Sequence, residues 1–131
     1  MVANSDVLAR IILSLLASAI VGLEREKTKH PAGMRTHMLV CMWSALFMLT
    51  SMRIFDMYIS RCSSVDPSRI ASTVVTGIGF LGAGAIIRYG ATIKGLTTAA
   101  SIWAVAGVGL AVGAGDYVAA VTAALLILAC L

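Results

Sequence analysis

The stretch TGIGFLGAGAII, Thr76 to Ile87, decides the fold. Its Gly77, Gly79 and Gly82 have the G-x-G-x-x-G spacing of a dinucleotide-binding turn. Such a turn needs a strand before it, a helix opening at it, and an acid about twenty residues later to hold the ribose. Thr73-Val74-Val75-Thr76 would serve as the strand, yet no Asp or Glu occurs between Pro67 and Gly115, so a phosphate cradle lacks its acid. In hydrocarbon the same glycines become small surfaces on a helix, against which another backbone can close. Their meaning depends on the solvent around them.

Composition points to lipid. Of 131 residues 60% are apolar and 12% charged, against roughly 45–50% and about 25% for a soluble domain. Charge-free runs occur at Ile11–Leu23, Thr36–Met52, Ile70–Ile87, Gly95–Gly115 and Tyr117–Leu131, and a membrane span takes about 20 mostly apolar residues. The expected fold is an all-α membrane protein, one domain forming a bundle of about five transmembrane helices. Their approximate bounds are 7–23, 36–52, 68–87, 97–115 and 117–131, and the third and fourth are glycine-rich. The first span reaches full length only if Arg10 snorkels its charge to the surface. Ala17-Ser18-Ala19 resembles a signal-cleavage site, but Asp6 and the apolar segments that follow argue against cleavage. The fifth run stops at Ala129-Cys130-Leu131 without a polar flank, which predicts a continuation of the chain. Cys41, Cys62 and Cys130 have neither disulfide-framework nor zinc spacing.

Charge in the loops predicts orientation. If alternate loops share a side, Arg25, Lys27, Lys29, Arg35, Arg88 and Lys94 face one way and Arg10, Arg53, Arg61 and Arg69 the other. Positive charge stays cytoplasmic, so the topology is predicted to be N-out and C-in. Asp66-Pro67-Ser68 predicts the start of the third helix, with Asp66 as cap and Pro67 at the first position. Thr97 and Thr98 offer hydroxyl caps for the fourth, and Gly113-Ala114-Gly115-Asp116 reads as a tight turn into the fifth.

Small residues predict packing. Ser72, Thr76, Gly79 and Ala83 share one face of the third helix, and Ala100, Ala104, Gly107, Ala111 and Ala114 share one face of the fourth. These two smooth faces are expected to meet, with hydroxyls bonded across the interface. Gly109–Gly113 is a literal GxxxG, Ser18 and Gly22 add a patch on the first helix, and a GxxxG face not used inside the bundle would be available outside it for self-association. The packing or partner-binding face is therefore assigned to Gly77, Gly79, Gly82, Gly84, Gly95, Thr97, Thr98, Gly107, Gly109 and Gly113.

Polar residues gather at the helix ends. Glu24, Arg25, Glu26, Arg35, Thr36, Arg88 and Lys94 form a candidate cytoplasmic cluster, since carboxylates at the end of a helix oppose its macrodipole and call for partners. Asp66, Arg69 and Asp116 form a candidate cap or pair on the opposite side. His30 and His37 read as satisfied interfacial side chains, not metal ligands. No charge falls in mid-span, which argues against a proton relay, although Thr73, Thr76, Ser44 and Ser101 could line a narrow route. Trp43 and Trp103 read as packing residues. No hydrolytic constellation is present, and no enzyme activity, cofactor, bound metal or nucleic-acid partner is expected.

Five motifs in order carry a resemblance. Ile20-Val21-Gly22-Leu23-Glu24-Arg25-Glu26, Pro31 to Val40 (PAGMRTHMLV), Asp66-Pro67-Ser68-Arg69-Ile70-Ala71, Gly77 to Gly84 (GIGFLGAG) and Gly95-Leu96-Thr97-Thr98-Ala99-Ala100 resemble the MgtC/SapB family of bacterial inner-membrane proteins. That resemblance implies a membrane bundle of about five helices and a role in adaptation to magnesium limitation and in survival inside macrophages. It further implies a non-enzymatic regulator of other membrane proteins, ATP synthase among them, with a small-cation (Mg²⁺) transporter or channel as the alternative. Many virulence-type members carry a glutamate at the position of Tyr89 and an asparagine at that of Thr97. Many also continue into a soluble C-terminal domain, absent from these 131 residues.

Overall fold

The structure, a computed structural model, describes residues 4–61 and 64–131, the side chain of Tyr89 excepted; Cys62 lies outside the described residues. The chain runs α1 (Asn4–Lys27), α2 (Met34–Tyr58), α3 (Arg69–Ala85), β1 (Ile87–Tyr89), β2 (Thr92–Lys94), α4 (Leu96–Ala114) and α5 (Tyr117–Cys130). The all-α membrane bundle is as expected. Three of its helices, α1, α2 and α4, are long and apolar enough to cross a membrane, while α3 and α5 are shorter. Large side chains such as Leu8, Leu16, Phe80 and Val118 lie exposed on the outside, a surface that suits hydrocarbon and not water.

Helix bounds differ from expectation where local chemistry intervenes. α1 continues through Glu24–Lys27 and stops at Lys29, whose φ of 58° is left-handed. There the Lys29 amide donates to the Glu26 carbonyl and the His30 amide to that of Arg25, a Schellman closure of the carbonyls a helix end leaves unpaired. Asp66 does not cap α3 as a helix N-cap. Its Oδ1 accepts from the Ser68 amide and hydroxyl, 2.8 and 2.7 Å, in a local turn, and the helix begins at Arg69. Thr97 and Thr98 do not cap α4 either, because the cap is Gly95 at φ 89°, with the Ala99 amide on its carbonyl. A Cβ at Gly95 would fall 2.0 Å from the Ala85 carbonyl oxygen, so the turn between α3 and α4 admits no larger residue.

The segment read as the end of the third helix and a polar loop is a two-stranded antiparallel hairpin pairing Arg88 with Ile93 and Tyr89 with Thr92. Residues 113–116 behave as expected. Gly115 takes φ 88°, amides of Gly115 and Asp116 close on the carbonyls of Val112 and Ala111, and the Asp116 carboxylate accepts from Ala119 as the cap of α5.

Helices α1, α2 and α4 form an inner trio, with α3 and α5 both leaning on α4. One core cluster joins Val21, Cys41, Val105, Val108, Val112 and Ala120; the other joins Val40, Val74, Ile78, Ile102 and Ala106. The expected meeting of smooth faces between α3 and α4 does not occur. α3 turns Val74, Ile78 and Gly82 inward, and Ser72, Thr76, Gly79 and Ala83 are exposed. On α4 the side carrying Ala100, Gly107 and Ala114 is likewise outward. Branched aliphatics offer more dispersion contact than a row of hydroxyls and glycines. The hydroxyls also need no neighbour, since Ser72, Thr73 and Thr76 donate to Arg69, Ile70 and Ser72 carbonyls of their own helix.

The close approaches fall on α2 instead. Cβ atoms at Gly109 and Gly113 would lie 2.2 and 2.6 Å from the carbonyl oxygens of Cys41 and Ala45, and one at Gly22 would lie 2.5 Å from Met34 Cα. The GxxxG of α4 and the glycine of α1 thus clamp α2 from two sides, contact that small residues alone permit.

Candidate functional site

The polar end of the bundle brings together the last turn of α1, the first turn of α2, the hairpin and the start of α4. Glu26 sits where the chain reverses, and its Oε2 accepts from the Met34 amide at 3.0 Å. A carboxylate there answers both an unpaired amide and the positive end of the α2 dipole. Glu26 is thus spent on α2 and not on a cation. Gly33 is pressed against the Glu26 side chain, 3.1 Å from Oε2 to a Cβ placed there.

Arg25 is only 2% exposed. Its Nε donates to the neighbouring Glu24 carboxylate and Nη2 donates to the Leu131 carbonyl at 3.0 Å. The Glu24–Arg25 pair is the ordered part of the expected cytoplasmic cluster. Arg35 and Thr36 are exposed on the first turn of α2, and Arg88 and Lys94 are exposed on the hairpin, where Arg88 Nε donates to Gly90.

One turn further in, His37 is fully buried. Its Nδ1 lies 2.9 Å from the Gly33 carbonyl and its Nε2 lies 3.0 Å from Ser101 Oγ on α4. Ser101 in turn donates to the Thr98 carbonyl at 2.9 Å. A carbonyl can only accept, so Nδ1 carries a proton. This chain spans two helices and the turn before them, so side-chain hydrogen bonding does cross the α2–α4 interface here. Nothing in sequence pairs two residues 64 positions apart; the sole hint is that His37 and Ser101 both interrupt apolar runs.

At the opposite end Arg10 reaches across to the end of α4. Its Nη1 donates to the Gly113 carbonyl at 2.7 Å, and its guanidinium lies against Gly115, so the cation meets the negative end of α4. Asp66, Arg69 and Asp116 form no shared cluster: Asp66 serves Ser68, the Arg69 amide reaches the Asp66 carbonyl at 3.4 Å, and Asp116 caps α5. The hydrogen bonds from Ser68, hydroxyl first and amide second, hold the Asp66 carboxyl below its ordinary range.

Among the packing positions, a Cβ placed at Gly82 would lie 3.6 Å from that of Ala99, while one placed at Gly77, Gly79, Gly84 or Gly107 would meet nothing within 4 Å. Thr97 is exposed and Thr98 buried. Beside Gly77 an apolar groove of about 540 Å³ opens between α2 and α3, with Trp43, Phe47, Val74, Ile78 and Leu81 in its walls. Trp43 is half exposed, 50%, with its ring 6.0 Å from that of Phe47, and Trp103 is 55% exposed. Both tryptophans are therefore half exposed and not buried in the core, Trp43 packing only along the groove.

A polar route does not assemble from the four residues proposed for it. Thr73 and Thr76 are exposed while Ser44 and Ser101 are buried, and Ser44, like Ser14 and Ser18 on α1, returns its hydroxyl to its own helix. Among the described residues no three of His, Cys, Asp and Glu converge as metal ligands, and Cys41 and Cys130 are free thiols.

Fold and site define an all-α integral membrane bundle in which, among the described residues, the Arg10 Nε is the buried side-chain polar atom left without a hydrogen-bond partner. The chain belongs to the MgtC family, whose model matches residues 11–131. It is 45% identical over 115 residues to "Putative magnesium transporter YhiD" of Escherichia coli K12, covering 87% of this chain and 54% of that protein. It is 41% identical over 118 residues to "Protein MgtC" of Salmonella typhimurium, covering 90% and 48%. The chain thus spans about half the length of the curated relatives it matches. No solved structure matches it.

Proposed function

We propose that the chain is a non-enzymatic regulator in the bacterial inner membrane, oriented N-out and C-in, that binds the transmembrane helices of other membrane proteins. The observation that carries this reading is the outward face of α3. Gly77, Gly79 and Gly84 present bare backbone to the bilayer beside the α2–α3 groove, and hydrocarbon gains little from bare backbone, whereas a second helix gains close contact. Family membership supports a link to magnesium limitation, and the family resemblance adds restraint of ATP synthase and survival inside macrophages. Self-association through the same face is a further outcome of this chemistry.

Gly79→Leu tests it. A Cβ placed at Gly79 meets nothing within 4 Å, so the variant should keep its thermal stability in detergent while losing the partners recovered by cross-linking from native membrane. Unchanged cross-links would sink the proposal. Cysteines in place of Lys29 and Arg61 test the orientation, the second alone reacting from outside the cell.

The second reading, a small-cation transporter, is favoured by the name of the Escherichia coli relative. Purified protein in liposomes distinguishes the two: Mg²⁺ uptake along a gradient supports transport, and its absence removes that reading.

A further inference from the structure

Three hydrogen bonds in series join Gly33, His37, Ser101 and Thr98, and the chain has an acceptor at each end. Gly33 and Thr98 contribute carbonyl oxygens, which have no proton to give. Three links between two such ends require three protons. A neutral imidazole and a serine hydroxyl supply two, so one link is left unmade. An imidazolium and a hydroxyl supply three.

We infer that His37 is a proton-binding site, its chain from Gly33 to Thr98 complete only when the ring carries two protons. Binding of the proton at Nε2 turns Ser101 from donor to acceptor toward the ring and frees its hydroxyl hydrogen for Thr98. The α1–α2 turn, the first turn of α2 and the start of α4 are then joined without a gap. In the neutral ring Ser101 must choose between Nε2 and Thr98, and the tie between α2 and α4 loosens at one point.

The surroundings allow either state. From α1 the buried Arg25 opposes a second positive charge, and the carboxylates of Glu24, paired with Arg25, and Glu26, on the Met34 amide, moderate it. On α2 itself the ionisable neighbours are Arg35, exposed, and Cys41 one turn on; His30 lies in the preceding turn, its Nδ1 on the Thr28 hydroxyl. Residues 70–85 of α3 and all of α4 hold no acidic, basic, cysteine or tyrosine side chain. α5 contributes only Tyr117 and Cys130 at its ends. The hairpin adds the cations Arg88 and Lys94, both exposed; among the described residues no carboxylate is bonded to the ring, whose partners are the Gly33 carbonyl and the Ser101 hydroxyl.

The test uses the full chain in lipid nanodiscs, with ¹⁵N-labelled histidine. Because the chain has only two histidines, His30→Gln leaves His37 as the single reporter. As pH falls, the ring nitrogens should pass reversibly from one protonated and one bare to two protonated while the protein stays folded. Ser101→Ala removes the acceptor for the second proton and should move that transition to lower pH. A ring that keeps a bare nitrogen at every pH where the protein is folded overturns the inference. So does a transition that Ser101→Ala leaves in place. If Ser101→Ala fails to fold, the titration of the His30→Gln chain decides alone.

Discussion

Two glycines two residues apart on α4 should respond to alanine with opposite sign. At Gly107 nothing lies within 4 Å of the added methyl, and alanine is favoured over glycine in a helix by about 1 kcal/mol. Gly107→Ala should therefore stabilise by up to about that amount, less in lipid, where the backbone is already committed to the helix. At Gly109 the same methyl would sit 2.2 Å from the Cys41 carbonyl oxygen and 2.8 Å from Ser44 Cβ. Those atoms belong to a neighbouring helix and cannot rotate aside, so the overpacking falls at the upper end of the roughly 1–3 kcal/mol range for such insertions. Less the propensity gain, Gly109→Ala should cost about 2 kcal/mol. The pair then differ by about 3 kcal/mol, or roughly a hundredfold in the folded-to-unfolded ratio. Reversible unfolding by SDS in mixed micelles, followed by helical circular dichroism, measures both. Equal shifts, or a neutral Gly109→Ala, would show that α2 and α4 do not touch through the GxxxG and would refute the packing described above.

Two further outcomes follow from the helix ends. Arg10→Met removes the guanidinium from the Gly113 carbonyl and from the negative end of α4 and should cost about 1–3 kcal/mol in the same assay; Arg10→Lys should recover part of it, and a loss-free Arg10→Met would dismiss the cap. Asp66 has its folded-state carboxyl lowered by Ser68, so its contribution is present above the ordinary carboxylate range and disappears as pH falls through the lowered value. Asp66→Asn should accordingly remove that contribution above pH of about 6, leave stability at the acid end nearly as it was, and so flatten the acid limb of the profile, and an unaltered acid limb would count against it.

Apolar runs made the helices legible, because a stretch of residues without charge has few other uses at such length. What was not legible was rotation about each helix axis. The small-residue stripe of α3 and its Val74–Ile78–Gly82 stripe have equal periodicity, and only the positions of α2 and α4 decide which turns inward. Boundaries failed where a side chain had a competing local bond, as Asp66 does with Ser68, or where a left-handed glycine took the capping place, as Gly95 does before Thr97. The candidate site was half legible. Glu24, Arg25 and Glu26 were marked by carboxylates at a helix end, but the buried His37–Ser101 link and the Arg10–Gly113 link join distant segments through hydrogen bonds that no spacing encodes.

The length of α3 bears on the bilayer itself. Its 17 residues rise about 25 Å, some 5 Å short of a hydrocarbon core of about 30 Å. The hairpin that follows carries exposed Ile86, Ile87 and Ile93 at its base, but a two-stranded sheet has unpaired edges that hydrocarbon does not satisfy. Unpaired edges and the charges of Arg88 and Lys94 favour a hairpin at headgroup level, where lipid would come down to meet it. A bilayer that thins to match α3 would be pinched around this side of the protein, and a neighbour with an equally short span would relieve the mismatch.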